Sequence, residues 1–363
     1  MTTDGEGPGN QSLNAVITED LAAIFDDIKP VLDKFAGATV LIAGGAGFLP
    51  SFVVDALAHA NTQLGSDPAH VVCVDNFKTG VPERLAHLDG REDVTFIKHD
   101  VTEKLTGVKP DYILHAASIA SPTWYRQFPL ETIDINVTGT RRLLDLAHES
   151  NTQGLLYLSS SEVYGDPPPD KVPTSEDYWG NVSPVGPRAC YDESKRLGET
   201  LCMTYFRQYG VPIKIVRPFN VYGPRLRLDD GRVMPDLISD ALNKRQITLY
   251  SNGEVTRSFC YVRDAAVAII KILAAGGPGE IFNIGNDEEV SIRKLAETVD
   301  EVSGNNLGVQ LATSEDPEYL SDNPQRRCPD LTKTKAAVDW SPSVSLREGV
   351  ERMLRFYREG AGV

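Results

Sequence analysis

Tyr191 and Lys195 stand four residues apart, which places them on one face of a helix, about thirty residues after the run Ser160-Ser161-Glu162. A lysine ammonium beside a phenol stabilises the phenolate and lowers a pKa that starts near about 10. Such a pair can move the proton of a sugar or alcohol hydroxyl in a nicotinamide-dependent reaction. The hydroxyls of Ser160 and Ser161 can orient the same group. Glu162 adds a carboxylate able to act as acid, base or electrostatic lever, so chemistry beyond simple oxidation is open to the site.

A second set of residues supplies what a dinucleotide needs. Gly44, Gly45 and Gly47 follow an apolar strand and precede a helix, where the backbone turns tightly and meets a pyrophosphate at the helix N-terminus. Pro50 stands where the usual fingerprint has its third glycine; a proline is tolerated in a first helical turn. Asp75 ends the second strand, the place for a carboxylate that accepts from an adenosine ribose and repels a 2′-phosphate, favouring NAD over NADP, with Lys78 nearby as the contrary sign. Asp100 and Val101 end the third strand, where Asp100 either meets the adenine or caps the next turn. Phe48, Leu49, Asn76, Ala116 and Lys195 complete the expected cofactor set. No histidine or cysteine spacing fits a metal.

These residues need a frame. TVLIA (39–43), HVVCVD (70–75), VTFIKHD (94–100), YILHAAS (112–118), LLYLSSS (155–161) and PIKIVRPFN (212–220) read as strands. Helices are predicted to about 59 after the glycine turn, over 129–149 and over 191–209. The alternation predicts an α/β fold, a Rossmann-type doubly wound parallel sheet. Beyond Asn220, helices near 234–243, 262–275, 291–303 and 346–359 predict a smaller, mostly helical C-terminal substrate lobe. The expected division is a tail and appended helix over 1–36 and a cofactor domain over 37–220 with a returning segment at about 254–286. A substrate lobe would comprise 221–253 and 287–363. Within the appended helix, Leu21, Ile24, Phe25, Ile28, Val31, Leu32 and Phe35 form an apolar stripe that Pro30 kinks or splits. Residues 1–12 are polar and predict disorder.

The chain has 363 residues, 41% hydrophobic and 24% charged, enough for one large domain and a lobe. A formal charge of −15 argues against nucleic acid and anionic membranes as partners. An anionic substrate then needs a local arginine cluster. Arg217, Arg225, Arg227, Arg232, Arg257, Arg326 and Arg327 lie in the C-terminal part; Arg232 and Arg257 are the expected ligands and several others ordinary surface charges. Five widely spaced cysteines fit free thiols in a reducing cytosol, and the N-terminus lacks a signal peptide's basic start and apolar run. No stretch approaches the about 20 apolar residues of a membrane span, so a cytoplasmic protein is expected.

The stretches VVCVDNFKTG, HAASIASP, SSSEVYGDP, EDYWGNVSPVGPRACYDESKR, RPFNVYGPRLRLDDGRV and DNPQRRCPDLTKTKA resemble the extended short-chain dehydrogenase/reductases that act on nucleotide sugars, and among them most the UDP-glucuronate decarboxylases. The likeness runs from about Val40 to Tyr357, and EDYWGNVSPVGPRACYDESKR is its most discriminating part. It implies NAD as cofactor and UDP-glucuronate as substrate, decarboxylated to UDP-xylose through a transient 4-keto sugar. It places Ser160, Glu162, Tyr191 and Lys195 in catalysis and Asn220, Arg232 and Arg257 on the diphosphate and sugar. Ser121 falls in the substrate loop, with Tyr250 and Arg327 in the substrate set. It also implies a homodimer through helices 129–149 and 191–209. Four positions depart from the family pattern: Ser160 for threonine, Ser194 and Pro50 for glycine, and Ile119 for a proline. Those beside the sugar leave 4,6-dehydration and 4-epimerisation open. An Asp-Glu pair usual in dehydratases is Ser161-Glu162 here, and a non-catalytic nucleotide-sugar sensor would need none of the Ser/Tyr/Lys set.

Overall fold

A computed structural model describes residues 13–64, 67–312 and 324–360; the polar stretch 1–12 lies outside the described residues. Its centre is a seven-stranded sheet of β1 (Thr39–Ala43), β2 (His70–Asp75), β3 (Val94–Lys98), β4 (Tyr112–His115), β5 (Gly154–Leu158), β6 (Ile213–Pro218) and β7 (Glu280–Ile284). The order is β7-β6-β5-β4-β1-β2-β3, and every pairing is parallel. Strands such as β1 and β4 are almost wholly buried because helices cover both faces, which is why they read as unbroken apolar runs. The order reverses between β1 and β4, and ligands of such sheets bind at the strand ends beside that reversal.

Helix α1 (Ala15–Ile28) begins at Asn14, whose side chain accepts from Val16 N at 2.8 Å. Pro30 ends it, and the chain continues as a tighter turn over Lys29–Lys34. Its apolar stripe packs on α2 (Phe48–Leu64) and on Val262–Ala275. Asp20 is fully buried on that face. It accepts from Tyr261 Oη at 2.7 Å and from Arg352 Nη2 at 2.8 Å, so its charge is paired, while burial still raises its pKa.

Three elements differ from expectation in ways that shape the site. The strand predicted through residue 161 stops at Leu158; Ser160 then accepts from Glu162 N at 3.2 Å and opens a tight turn over Ser161–Tyr164. The helix predicted over 129–149 is interrupted by a π-helical turn at Ile135–Gly139, which turns Asn136 inward. The C-terminal part carries short strands as well as helices: Thr256–Ser258 pairs with Glu289–Ser291 and with Arg326–Arg327, and Ile247–Leu249 with Val309–Leu311. Three-residue strands are too short to stand out as sequence patterns.

His115, at the end of β4, is fully enclosed, with Nε2 at 2.9 Å from Thr140 Oγ1. Burial, with the Lys195 charge adding to it, lowers its pKa to about 3. The unfolded chain binds this proton from pH about 6.5 downwards and the folded chain does not. Stability is therefore complete above that pH and should fall by about 1.4 kcal/mol per unit as acid is added. Urea unfolding between about pH 7 and 5 checks this, and His115→Gln should flatten the slope.

Candidate active site

The turn after β1 is shaped by what surrounds it. Gly44 has φ +79°, and a Cβ there would lie 2.6 Å from Ala117 Cα, so the conformation and the close approach both exclude a side chain. Asp75 fixes the turn from the next strand: its Oδ2 accepts from Ala46 N at 3.0 Å and its Oδ1 from Phe77 N at 2.8 Å. A Cβ at Gly80 would meet that carboxylate at 2.7 Å, so the loop carrying Gly80 also closes around Asp75. Arg84, which sequence reasoning did not single out, donates to Ala46 O and to Arg225 O, each at 2.8 Å. It ties the turn to the start of the substrate loop. Gly44→Ala should cost at least tenfold in NAD affinity through strain of about 1–3 kcal/mol and the backbone clash, as read by fluorescence titration.

Gly44, Gly47, Phe48, Leu49, Asp75, Asn76, Val101, Ala116, Ser160, Ser161, Glu162, Tyr191, Lys195, Asn220 and Arg232 all line one cleft above the strand ends. Asp100 stands just behind it. It caps the following turn, accepting from Thr102 N at 2.9 Å, and holds Asn76 Nδ2 at 3.0 Å. The cap is one of the two readings open for Asp100. Lys78 pairs with Glu131 at 2.9 Å and lies 4.1 Å from the Phe128 ring centroid, so its charge is already engaged.

The Tyr191–Lys195 pair lies on Ala189–Tyr209, both side chains buried. Lys195 Nζ donates to Leu158 O at 2.8 Å and stands 5.8 Å from the Tyr191 ring centroid. Burial lowers its pKa to about 7, against the opposing pull of Cys202 and Glu199. Burial also pushes the Tyr191 phenol above its ordinary value, and a hydrogen bond with Ser160 works in the opposite direction. Tyr125, missed by sequence reasoning, stacks on Tyr191 with centroids 5.1 Å apart and planes 11° from parallel. From the other side, Asn136 Nδ2 donates to Ser194 Oγ at 2.9 Å, and Ser194 Oγ donates to Tyr191 O at 3.0 Å. The Ser194 hydroxyl, at a position where the resemblance implies glycine, is thus a brace on the helix that carries Tyr191.

A second cleft continues from the first, lined by Glu162, Arg188, Asn220, Arg232, Arg257 and Arg327 among others. Asn220, in the left-handed region at φ +36°, donates to Ser258 O at 2.9 Å. Arg232 is paired with Asp230, and Ser121 Oγ donates to Asp230 O at 2.7 Å. Ser121 is therefore a support of the substrate loop and does not itself face either cleft. Tyr250 also lies outside both clefts, half-exposed, while its neighbour Ser251 lines the second. Glu162 is bound by Arg188 and by both Nη atoms of Arg327, the Nη2 contact at 2.8 Å. These guanidiniums hold its carboxyl well below the usual range despite burial. Arg257 is buried among like charges, which together lower its pKa to about 9. Arg188 was not singled out from the sequence, although it stands three residues before Tyr191, a spacing that could have found it.

A parallel sheet with a glycine turn at its reversal, facing a buried tyrosine–lysine pair across one cleft, defines a dinucleotide-dependent enzyme of the short-chain dehydrogenase type. Residues 40–285 match the NAD dependent epimerase/dehydratase family, and the chain belongs to it. Over 324 residues, 89% of this chain and 90% of the relative's length, it is 42% identical to UDP-glucuronic acid decarboxylase 5 of Arabidopsis thaliana. Among solved structures it resembles a dTDP-glucose 4,6-dehydratase from Streptomyces venezuelae with NAD bound (27% identity, TM-score 0.76, covering 89% of this chain and 97% of that one). It also resembles a UDP-glucuronic acid 4-epimerase from Bacillus cereus in complex with UDP-glucuronic acid and NAD (26% identity, TM-score 0.75, covering 88% and 99%).

Proposed function

We propose that this enzyme decarboxylates UDP-glucuronate to UDP-xylose through a transient 4-keto sugar. The observation that carries the reading is the junction of the two clefts, where the Tyr191–Lys195 side meets Arg188 and Arg232. A proton-transfer pair thus faces a cationic pocket in a chain whose curated relative is a UDP-glucuronic acid decarboxylase. Gly44, Gly47, Phe48, Leu49, Asp75, Asn76, Val101, Ala116 and Lys195 fit a dinucleotide: the turn admits no Cβ at Gly44, and the Asp75 carboxylate opposes a 2′-phosphate. When bound there, NAD would supply a reversible hydride acceptor for sugar C4.

Tyr191, oriented by Ser160 and helped by the Lys195 charge, removes the C4 hydroxyl proton. The C5–C6 bond electrons then pass into the enolate of the 4-ketone as carbon dioxide leaves. A proton taken up from solvent adds to C5 in place of the lost carboxylate and restores the ketone, and Tyr191 returns its proton to O4 as C4 is reduced. No net oxidation occurs. Asn220, Arg232, Arg257 and Arg327 hold the diphosphate and sugar, with Ser121 steadying their loop. A 4,6-dehydratase would need Glu162 free to take the C5 proton; here two arginines bind it, which supports decarboxylation.

The chain divides, on this reading, into the cofactor domain 37–220 with the returning segment 254–286, and a substrate lobe of 221–253 and 287–363; the pairing of β7 with β6 supports the returning segment. A homodimer is supported by the exposed Leu130, Ile133 and Leu197 on the helices around 129–150 and 189–209, and light scattering decides it. A cytoplasmic location is supported by five unpaired thiols. No helix among the described residues is long and apolar enough to cross a membrane.

The direct test is incubation with NAD and UDP-glucuronate, followed by mass spectrometry and proton NMR of the sugar nucleotide. A UDP-pentose with release of carbon dioxide is expected. Unchanged UDP-glucuronate would overturn the reading, and UDP- and dTDP-glucose would then test dehydration and epimerisation.

A further inference from the structure

We propose that Arg188 distinguishes a sugar carboxylate from a neutral hydroxymethyl group at the reacting end of the substrate, with Glu162 holding its place until the sugar arrives. The inference rests on the reading of the substrate as a uronate.

Only a few side chains line both clefts, among them Tyr125, Glu162, Arg188, Asn220 and Arg232. A sugar that reaches Tyr191 while its diphosphate lies in the second cleft must pass this junction. Two of its residues are cationic. Arg232 is neutralised by Asp230 through two contacts, the longer at 3.2 Å. Arg188 is bound to one oxygen of Glu162, and that carboxylate is shared with Arg327. Its Nε is buried and has no hydrogen-bond partner, and its remaining acidic neighbour, Asp192, is 3.9 Å away. The fork therefore has an unused donor. A planar carboxylate suits such a fork, whereas a hydroxymethyl group offers no charge with which to displace Glu162.

Position favours the same residue. Arg188 immediately precedes the helix that carries Tyr191, so its backbone is fixed relative to the catalytic phenol. Arg257 lines only the second cleft, and Arg327 grips both oxygens of Glu162. Glu162 can therefore release Arg188 to the substrate and stay neutralised by Arg327. The exchange replaces the Glu162 contact by one to the substrate and adds a bond to the unused Nε, so the net gain is that added bond, and only a uronate can drive it.

The test measures affinities of NAD-loaded protein for UDP-glucuronate, UDP-glucose and UDP by calorimetry. A Tyr191→Phe background prevents turnover, and Arg188→Gln and Arg188→Lys are added to it. A charge-assisted contact of about 1.5–3 kcal/mol predicts that Arg188→Gln weakens UDP-glucuronate by about 10- to 100-fold. UDP-glucose and UDP should stay within about threefold, and the lysine variant should fall between. Equal losses for both sugars, or an unchanged ratio between them, would overturn the assignment. Should the glutamine variant lose UDP binding as well, the ratio in the lysine variant decides. If the unsubstituted site shows no preference for UDP-glucuronate over UDP-glucose, the uronate reading itself has failed, a different result from loss of the Arg188 role.

Discussion

Tyr191→Phe should reduce turnover of UDP-glucuronate by about a thousandfold, the scale of a lost general base, while NAD still binds. The reason is local. The ring is buried and stacked on Tyr125, so phenylalanine keeps the packing and loses only the hydroxyl bonded to Ser160. Melting temperature should stay close to that of the parent protein. NMR assay of the sugar nucleotide, with a parallel titration of NAD, separates the two effects. Residual turnover within about tenfold of the parent would remove Tyr191 from the chemistry.

Glu162→Gln should damage both stability and rate. Glutamine matches the carboxylate in shape but leaves Arg188 and Arg327 without their shared counter-charge in a largely buried site. Removing one partner of such a cluster costs about 3 kcal/mol, measurable by urea unfolding at neutral pH. The sign with pH follows from the depressed carboxyl. Its stabilisation is complete above the unfolded value of about 4.3 and is lost as pH falls toward the folded value. The two proteins should therefore converge in stability under strong acid. Turnover should fall by about a hundredfold without a matching rise in KM, because freed guanidiniums hold a substrate carboxylate that must leave as neutral carbon dioxide. A variant as stable as its parent at neutral pH would show that the ion cluster contributes nothing to the fold.

Six of the seven strands were readable because they are short, apolar and bounded by turn residues, and β1 and β2 begin and end where the pattern places them; β7 was not read as a strand. The Tyr191–Lys195 pair and the glycine turn were readable because their spacing is itself the signal. Ser121 and Asp100 were placed near the ligand by position in the chain, and the bonds their side chains make to the loop and turn could not be read from that position. Sequence adjacency does not say which way a loop residue faces. Arg84 and Arg188 were hidden for a related reason: a buried arginine looks like any surface arginine until its partners, 38 and 26 residues away, are brought to it. Tyr250 shows the reverse case, an aromatic that folding leaves half-exposed and outside both clefts.

The buried bond between Asp20 and Arg352 joins positions 332 residues apart. During synthesis Asp20 emerges 332 residues before Arg352, so this cationic partner is missing for all of that interval. The docking surface of α1 on Val262–Ala275 is also absent until late. Local contacts form early and distant ones wait for chain closure, so the docking of α1 that begins against α2 is completed only when Val262–Ala275 and Arg352 are in place. The helix thus acts as a latch: resistance of its peptide bonds to protease marks the moment when Asp20 and Arg352 have been brought together.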